Sequence, residues 1–326
     1  MRKSLVCMAL LAGIAGTVSA RAQTIEGIPL PPPIEPPYEL GVRYWQSVGK
    51  TKFSDNASER NRTLGNPTSV LTYDDMNGYT AEFFWYARNE SEIFAKGFAG
   101  GGWLDGGSLD DEDYARGQIK FSDTFSKIEG SSIAYTTIDL GRRFVVRDSG
   151  PFVSVSPFVG FNYWYEQAMA HGVRCNPDDV PPSESFCPFT GRVVIPYSQK
   201  VIRNEANWAS IRLGAEIKVK LWDRLTLIAD AAGVPYAYVS NFDSHYLRGD
   251  LGPVPNIEDR GSGWGYQLEG ALRYDISPEW SAGAGVRYWF ATVGGVSDFR
   301  NFDIAVPLKD FTSERFGVFG DLSYRF

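Results

Sequence analysis

Apolar side chains recur at every second position through run after run of this chain, and that period confines it to strands with one apolar face. Tyr38, Leu40, Val42 and Tyr44 share one face, with Glu39, Gly41, Arg43 and Trp45 on the other. From Trp208 to Leu221 the apolar side is Ala209, Ile211, Leu213, Ala215, Ile217, Val219 and Leu221, against Ser210, Arg212, Glu216, Lys218 and Lys220. From Trp264 to Ile276, Trp264, Leu268, Leu272 and Tyr274 oppose Gln267, Glu269, Arg273 and Asp275. A soluble sandwich alternates too. These runs, however, often exceed the ~5–6 residues usual in soluble sheets. Aromatics gather near run ends, as in interfacial girdles, and Phe316, Val318, Leu322, Tyr324 and the terminal Phe326 share the last apolar face.

The expected fold is therefore all-β: a ten-stranded antiparallel transmembrane β-barrel with long extracellular loops. The strands are predicted at 38–52, 68–87, 92–105, 130–146, 152–170, 196–221, 225–241, 263–276, 280–293 and 312–326. Four connections, 88–91, 147–151, 222–224 and 277–279, read as tight turns. The other five are long and polar, and that short/long alternation marks a barrel of this kind. Pro235 should interrupt the seventh strand at an edge or bulge.

The amino end sets the compartment. Met1-Arg2-Lys3 is a basic start, and 4–20 is an apolar run too short for a membrane anchor. Small residues offer cleavage after Ala20 or Ala22; the second is preferred, making 1–22 a secretory signal peptide. Residues 23–37, rich in proline, read as a stiff periplasmic leader, and 38–326 as the outer-membrane barrel. A Gram-negative outer membrane is the expected location. The formal charge is −7, and removal of Arg2, Lys3 and Arg21 takes it to about −10, an acidic balance that argues against nucleic acid as partner.

Two cysteines remain after processing, Cys175 and Cys187, around a turn-rich stretch. In an oxidising compartment they read as a loop-stapling disulfide, since a metal pair would want histidine or carboxylate company and only His171 is near.

Residues with chemical potential fall on the outer rim. Asp243-Ser244-His245 places a carboxylate two positions from an imidazole, which can orient it and stabilise its charged form. Such triplets also occur by chance. Asp110-Asp111-Glu112-Asp113 opens the second long loop, and in a strand extension Asp111 and Asp113 point to the same face. Crowded carboxylates raise one pKa and share a proton. From residue chemistry alone, a solvated acidic loop or a weak divalent-cation site stands equally open.

These segments, in this order, resemble the omptins, outer-membrane endopeptidases built on a ten-stranded barrel. Ser47-Val48-Gly49-Lys50-Thr51-Lys52 is similar to the family's Ser-Gly-Lys-Thr-Lys, and Gly106 to Tyr114 to its Gly-Gly-Asn-Met-x-Asp-x-Asp-Trp. Asp243-Ser244-His245-Tyr246 matches its Asp-Glu-His-Tyr. The resemblance implies an aspartic-type endopeptidase acting on peptides or proteins at the cell surface, with catalytic residues Asp111, Asp113, Asp243 and His245. His245 would deprotonate a water held by the aspartates, with no serine, metal or organic cofactor. The resemblance further implies a need for lipopolysaccharide, and handover of the terminal-aromatic strand to the barrel assembly machinery. Where the family carries an arginine on the fifth strand, 160–165 has none; Lys200 and Arg203 on the sixth are the candidate lipopolysaccharide contacts.

Two departures bear on specificity. Phe53 stands where the family has glutamate, and Asn241 where it has aspartate; both positions belong to the substrate groove. Losing both carboxylates predicts an altered, less basic cleavage preference. The alternative reading is a barrel of this fold without catalysis, acting as adhesin or structural protein. A lipid A acyl hydrolase would need Ser244 beside His245 to act as a dyad, but adjacent residues in a strand face opposite ways.

Overall fold

The computed structural model describes residues 36–147, 152–175 and 193–326. The signal-peptide and most of the leader boundaries, and Cys187 with its proposed pairing, lie outside those residues. Strands run at β1 Tyr38–Asp55, β2 Ser69–Arg88, β3 Ile93–Asp105, β4 Ser108–Ala115, β5 Ile119–Ile128, β6 Ser131–Arg142, β7 Phe144–Arg147, β8 Val153–Cys175, β9 Val193–Trp222, β10 Leu225–His245, β11 Ile257–Asp275, β12 Trp280–Phe299 and β13 Ile304–Arg325. Every pairing is antiparallel, and the one helical turn among the described residues is the short 3₁₀ segment Gly249–Leu251.

The pairings come back to their start. β1 pairs with both β13 and β2, and from β2 the succession runs through β3, β6 and β8 to β13. Ten strands make that circuit, but the sheet holds thirteen, so the expected count is corrected. Two of the extra strands, β4 and β5, form a hairpin where a long loop was expected; it bridges the outer ends of β2 and β8. The third, β7, exists because Arg143 breaks the predicted 130–146 strand. Its backbone N–H and its Nε both donate to Glu92 across the turn, the latter at 2.6 Å. The fifth connection is also shorter than expected, since β12 and β13 extend to leave only 300–303 between them. Pro235 falls in the segment where β10 shifts register against both neighbours, the bulge its missing N–H requires.

The two faces are inverted relative to a soluble protein. Outward positions expose Leu40, Val42, Tyr44 and Val48 on β1, Val159 and Phe161 on β8, and Ile211 and Leu213 on β9. The belt continues through Trp264, Leu268 and Leu272 on β11 and Phe316, Val318 and Leu322 on β13. An exposed apolar surface of this extent marks an apolar medium or partner. On β1 it stops after Val48, where the outward residues become Lys50 and Lys52.

Inward positions are polar and paired. Arg287, 1% exposed, bonds Glu82 at 2.7 Å and Glu269 at 2.8 Å, and Arg43 bridges Glu82, Glu269 and Asp321. Above this network lies an aromatic layer: Trp45, Tyr135, Trp164 and Trp289 meet with centroids 5.0–5.7 Å apart, and Trp208 and Phe311 continue it. Buried charges are tolerable only when paired like this, and aromatic edges and faces supply a rigid floor. The site stands on that floor.

Candidate active site

Asp111 and Asp113 sit on β4, paired opposite Leu71 and Ser69 of β2. The two-residue period turns both toward the interior cleft, while Glu112 on the other face bonds Tyr114 and Lys120. Both side chains line that cleft, from a strand where the sequence reading expected the head of a long loop. Asp243 and His245 end β10 and face the same cleft, and His245 Nε2 lies 3.0 Å from Asp243 Oδ2. That bond leaves Nδ1 as the ring nitrogen able to exchange a proton with water. Ser244, on the opposite parity, is bonded neither to His245 nor to any other side chain, and its hydroxyl is buried. All four site residues lie beyond the apolar belt, around a cleft of about 800 Å³.

The electrostatics follow from burial and like charge. Burial, then Asp113 and Asp243, pushes Asp111 up to about 7, with His245 and Arg248 opposing. Asp113 is also raised, by burial, while Ser69, Arg248 and His245 pull it down. Burial disfavours the imidazolium, yet the Asp243 carboxylate beside it and Asp111 across the cleft bring His245 up to about 9. Near neutrality the constellation thus holds an imidazolium–carboxylate pair facing a carboxyl couple with a labile proton.

Of the substrate-groove positions, Phe53 is buried on the cleft wall, stacked on Phe311 at 4.6 Å and against Tyr73 at 6.4 Å. Asn241 lies one inward step below Asp243 and donates from Nδ2 to Asp259 Oδ2 at 2.8 Å. Lys200 and Arg203 are apart from the cleft's acidic residues: Lys200 is exposed on β9, and Arg203 pairs with Glu205 at 2.9 Å. Cys175 is buried at the end of β8.

Sequence reasoning missed several neighbours. Asn256 clamps the dyad strand, accepting from the His245 N–H at 3.0 Å and donating to its C=O at 3.2 Å. Arg248 reaches the cleft beside Asp111 and Asp113, with its guanidinium also bound to Asp250. Asp55 and Asp259 add two carboxyls to the cleft wall. No local motif announces any of them, because strand pairing brings them in from far along the chain.

No family model matches the chain, and no curated protein matches it. Among solved structures, the outer membrane protease OmpT of Escherichia coli aligns at a TM-score of 0.67 and 13% identity, covering 89% of this chain and 96% of that one. A FadL homologue of Pseudomonas aeruginosa and the toluene transporter TbuX of Ralstonia pickettii align over 89% and 88% of this chain, and 90% and 89% of theirs. Their TM-scores are 0.27 and 0.31, at 9% and 10% identity. The fold is therefore like that of OmpT. At this identity the likeness carries the fold and nothing more.

Proposed function

We propose that the chain is an outer-membrane endopeptidase of omptin type. The observation that carries the reading is the meeting of Asp243–His245 and Asp111–Asp113 in one cleft, from strands far apart in sequence. His245, once neutral, takes a proton from a water, and the resulting hydroxide attacks the scissile carbonyl. Asp243 stabilises the imidazolium so formed. Asp111 and Asp113 hold that water by accepting from its second O–H. The imidazolium then returns its proton to the leaving amine, and C–N cleavage completes hydrolysis. The apolar belt is read as the lipid face of a ten-stranded transmembrane barrel, and the exposed Phe326, stacked on Tyr38 at 5.6 Å, as its assembly signal.

The reading includes an altered, less basic cleavage preference. Phe53 presents a ring and Asn241 an uncharged amide where the omptin groove has acids. Burial and the nearby Asp243 push the neighbouring carboxyls up, Asp55 to about 6 and Asp259, with Asp55 also beside it, well beyond the carboxylate range, so the recess carries less negative charge than two free carboxylates. Lipopolysaccharide is assigned to the outer wall, with Lys200 and Arg203 as its phosphate contacts; loss of lipopolysaccharide stimulation in a Lys200→Ala, Arg203→Ala variant would support that assignment.

The test is a broad peptide library given to full-length protein in detergent with lipopolysaccharide. Wild type should cut, Asp111→Asn with Asp113→Asn should not, and the cut sites should lack a strong dibasic preference. A barrel serving only as adhesin would leave the library intact.

A further inference from the structure

Beneath the dyad, three strands converge on one recess. Asp55 from β1, Asp243 from β10 and Asp259 from β11 are 8%, 1% and 1% exposed. Asn241 and Asp259 are register partners, joined through the Asn241 amide. From β12, the fully buried Ser297 hydroxyl donates to Asp55 Oδ1 and reaches toward Asp259 as well. A hydroxyl has one proton, so Ser297 can donate to one of these carboxyls and only accept from the other.

Hydrogen-bond accounting in the recess leaves a deficit of donors. Asp243 Oδ1 and Asp259 Oδ1 are both buried without a partner. The donors Asn241 Nδ2, Ser297 Oγ and His245 Nε2 are committed to other oxygens, and the unpaired amide of Asn204, the register partner of Asp243 on β9, stands against three unpaired acceptors once Asn241 Oδ1 is counted. Buried acceptors left unpaired are costly, and three carboxylates gathered on one buried stretch of the cleft wall repel one another. One proton on a carboxyl relieves both problems, because it removes a charge and creates an O–H donor.

We propose that Asp55 and Asp259 act as one proton-sharing pair, with the proton on Asp259 and the charge on Asp55, and that this pair positions Asp243 for its work on His245. Both are positioning residues, since neither reaches the reacting atoms. The directions agree: burial, Asp55 and Asp243 push Asp259 far up, whereas Ser297 and His245 hold Asp55 lower. The titratable groups facing the pair are Asp243 and His245 from β10 and Tyr73 from β2, with Asp111 from β4 beyond His245. The charge assignment stands apart from the endopeptidase reading; only its catalytic consequence rests on that reading.

The chain has two histidines, so histidine-labelled protein in detergent with lipopolysaccharide gives two imidazole signals to follow by NMR, with a His171→Gln background to assign them. Asp55→Asn, which removes a charge, should lower the titration midpoint of His245. Asp259→Asn, which replaces a neutral acid, should leave it in place. The reverse pattern, equal lowering in both, or no shift in either would overturn the proposal. This readout needs no proteolysis, so it fails or stands separately from the proposed activity. A second measurement covers loss of folding in the Asp55 variant. Asp259→Asn keeps an N–H donor toward Asp243 and Asp259→Ala does not, so the asparagine variant should cleave peptide at least about tenfold faster. Equal rates in the two variants would overturn the positioning role.

Discussion

His245 and Asn256 are joined twice through the His245 backbone, its N–H donating to the Asn256 side chain at 3.0 Å and its C=O accepting from it at 3.2 Å. Asn256 is 1% exposed, and it fixes the last residue of β10 on the side where the ladder with β11 has already ended at Asp243. The geometry of the dyad is therefore set by a residue eleven positions away, in the loop that returns to β11.

Asn256→Ala removes both bonds without touching the cleft. The expected outcome is a fall in kcat of about tenfold or more with KM little changed, because a displaced base costs rate rather than binding. Steady-state kinetics on a single peptide, with barrel migration on unheated gels as the folding control, would check it.

The pH dependence has a definite sign. The base must be neutral, and His245 is raised to about 9, so kcat/KM should climb through neutrality and level off near that value. Removing the carboxylate in Asp243→Asn takes away the group that stabilises the imidazolium. The residual activity of that variant should then reach its plateau at lower pH, toward the ordinary histidine range near ~6.5. A pH–rate profile of the two proteins measures the shift.

Cleavage preference should move when the two departed carboxylates are restored. Phe53→Glu with Asn241→Asp puts acids back into the groove, and kcat/KM for dibasic peptides should rise relative to apolar ones. Parallel profiling of wild type and the double variant on one library decides this; an unchanged profile would remove both positions from the specificity account.

The lumen makes a prediction about stability. Arg287 serves Glu82 and Glu269 together, so Arg287→Met leaves both buried carboxylates to the single guanidinium of Arg43, which also serves Asp321. A loss of about 3–5 kcal/mol is expected for breaking a buried pair in this way. Urea-induced unfolding in lipid vesicles would measure it.

Much of this architecture was legible because its cause is periodic. The alternation at 38–44 and 264–274 fixes which face is apolar, and Pro235 announces its bulge through a missing N–H. The period also extends past the apolar belt, and β4 and β5 read as a loop because β4 is polar on both sides, as at Asp110 to Asp113, while Asp123 and Lys127 interrupt the apolar alternation of Ile119, Phe121 and Phe125 in β5. Within the site, Asp111, Asp113, Asp243 and His245 were readable as short local patterns. Asp55, Asp259, Asn256 and Ser297 were not, since each owes its place to the register of strands that pair across the sheet.

The central claim is that His245 activates water for peptide hydrolysis in the shared cleft. The measurement that meets it most directly is kcat/KM for peptide cleavage by wild type and by folded His245→Ala, in detergent with lipopolysaccharide. The account predicts cleavage by wild type and a loss of about 10²–10⁴-fold in the variant. Cleavage that persists undiminished in His245→Ala would contradict it.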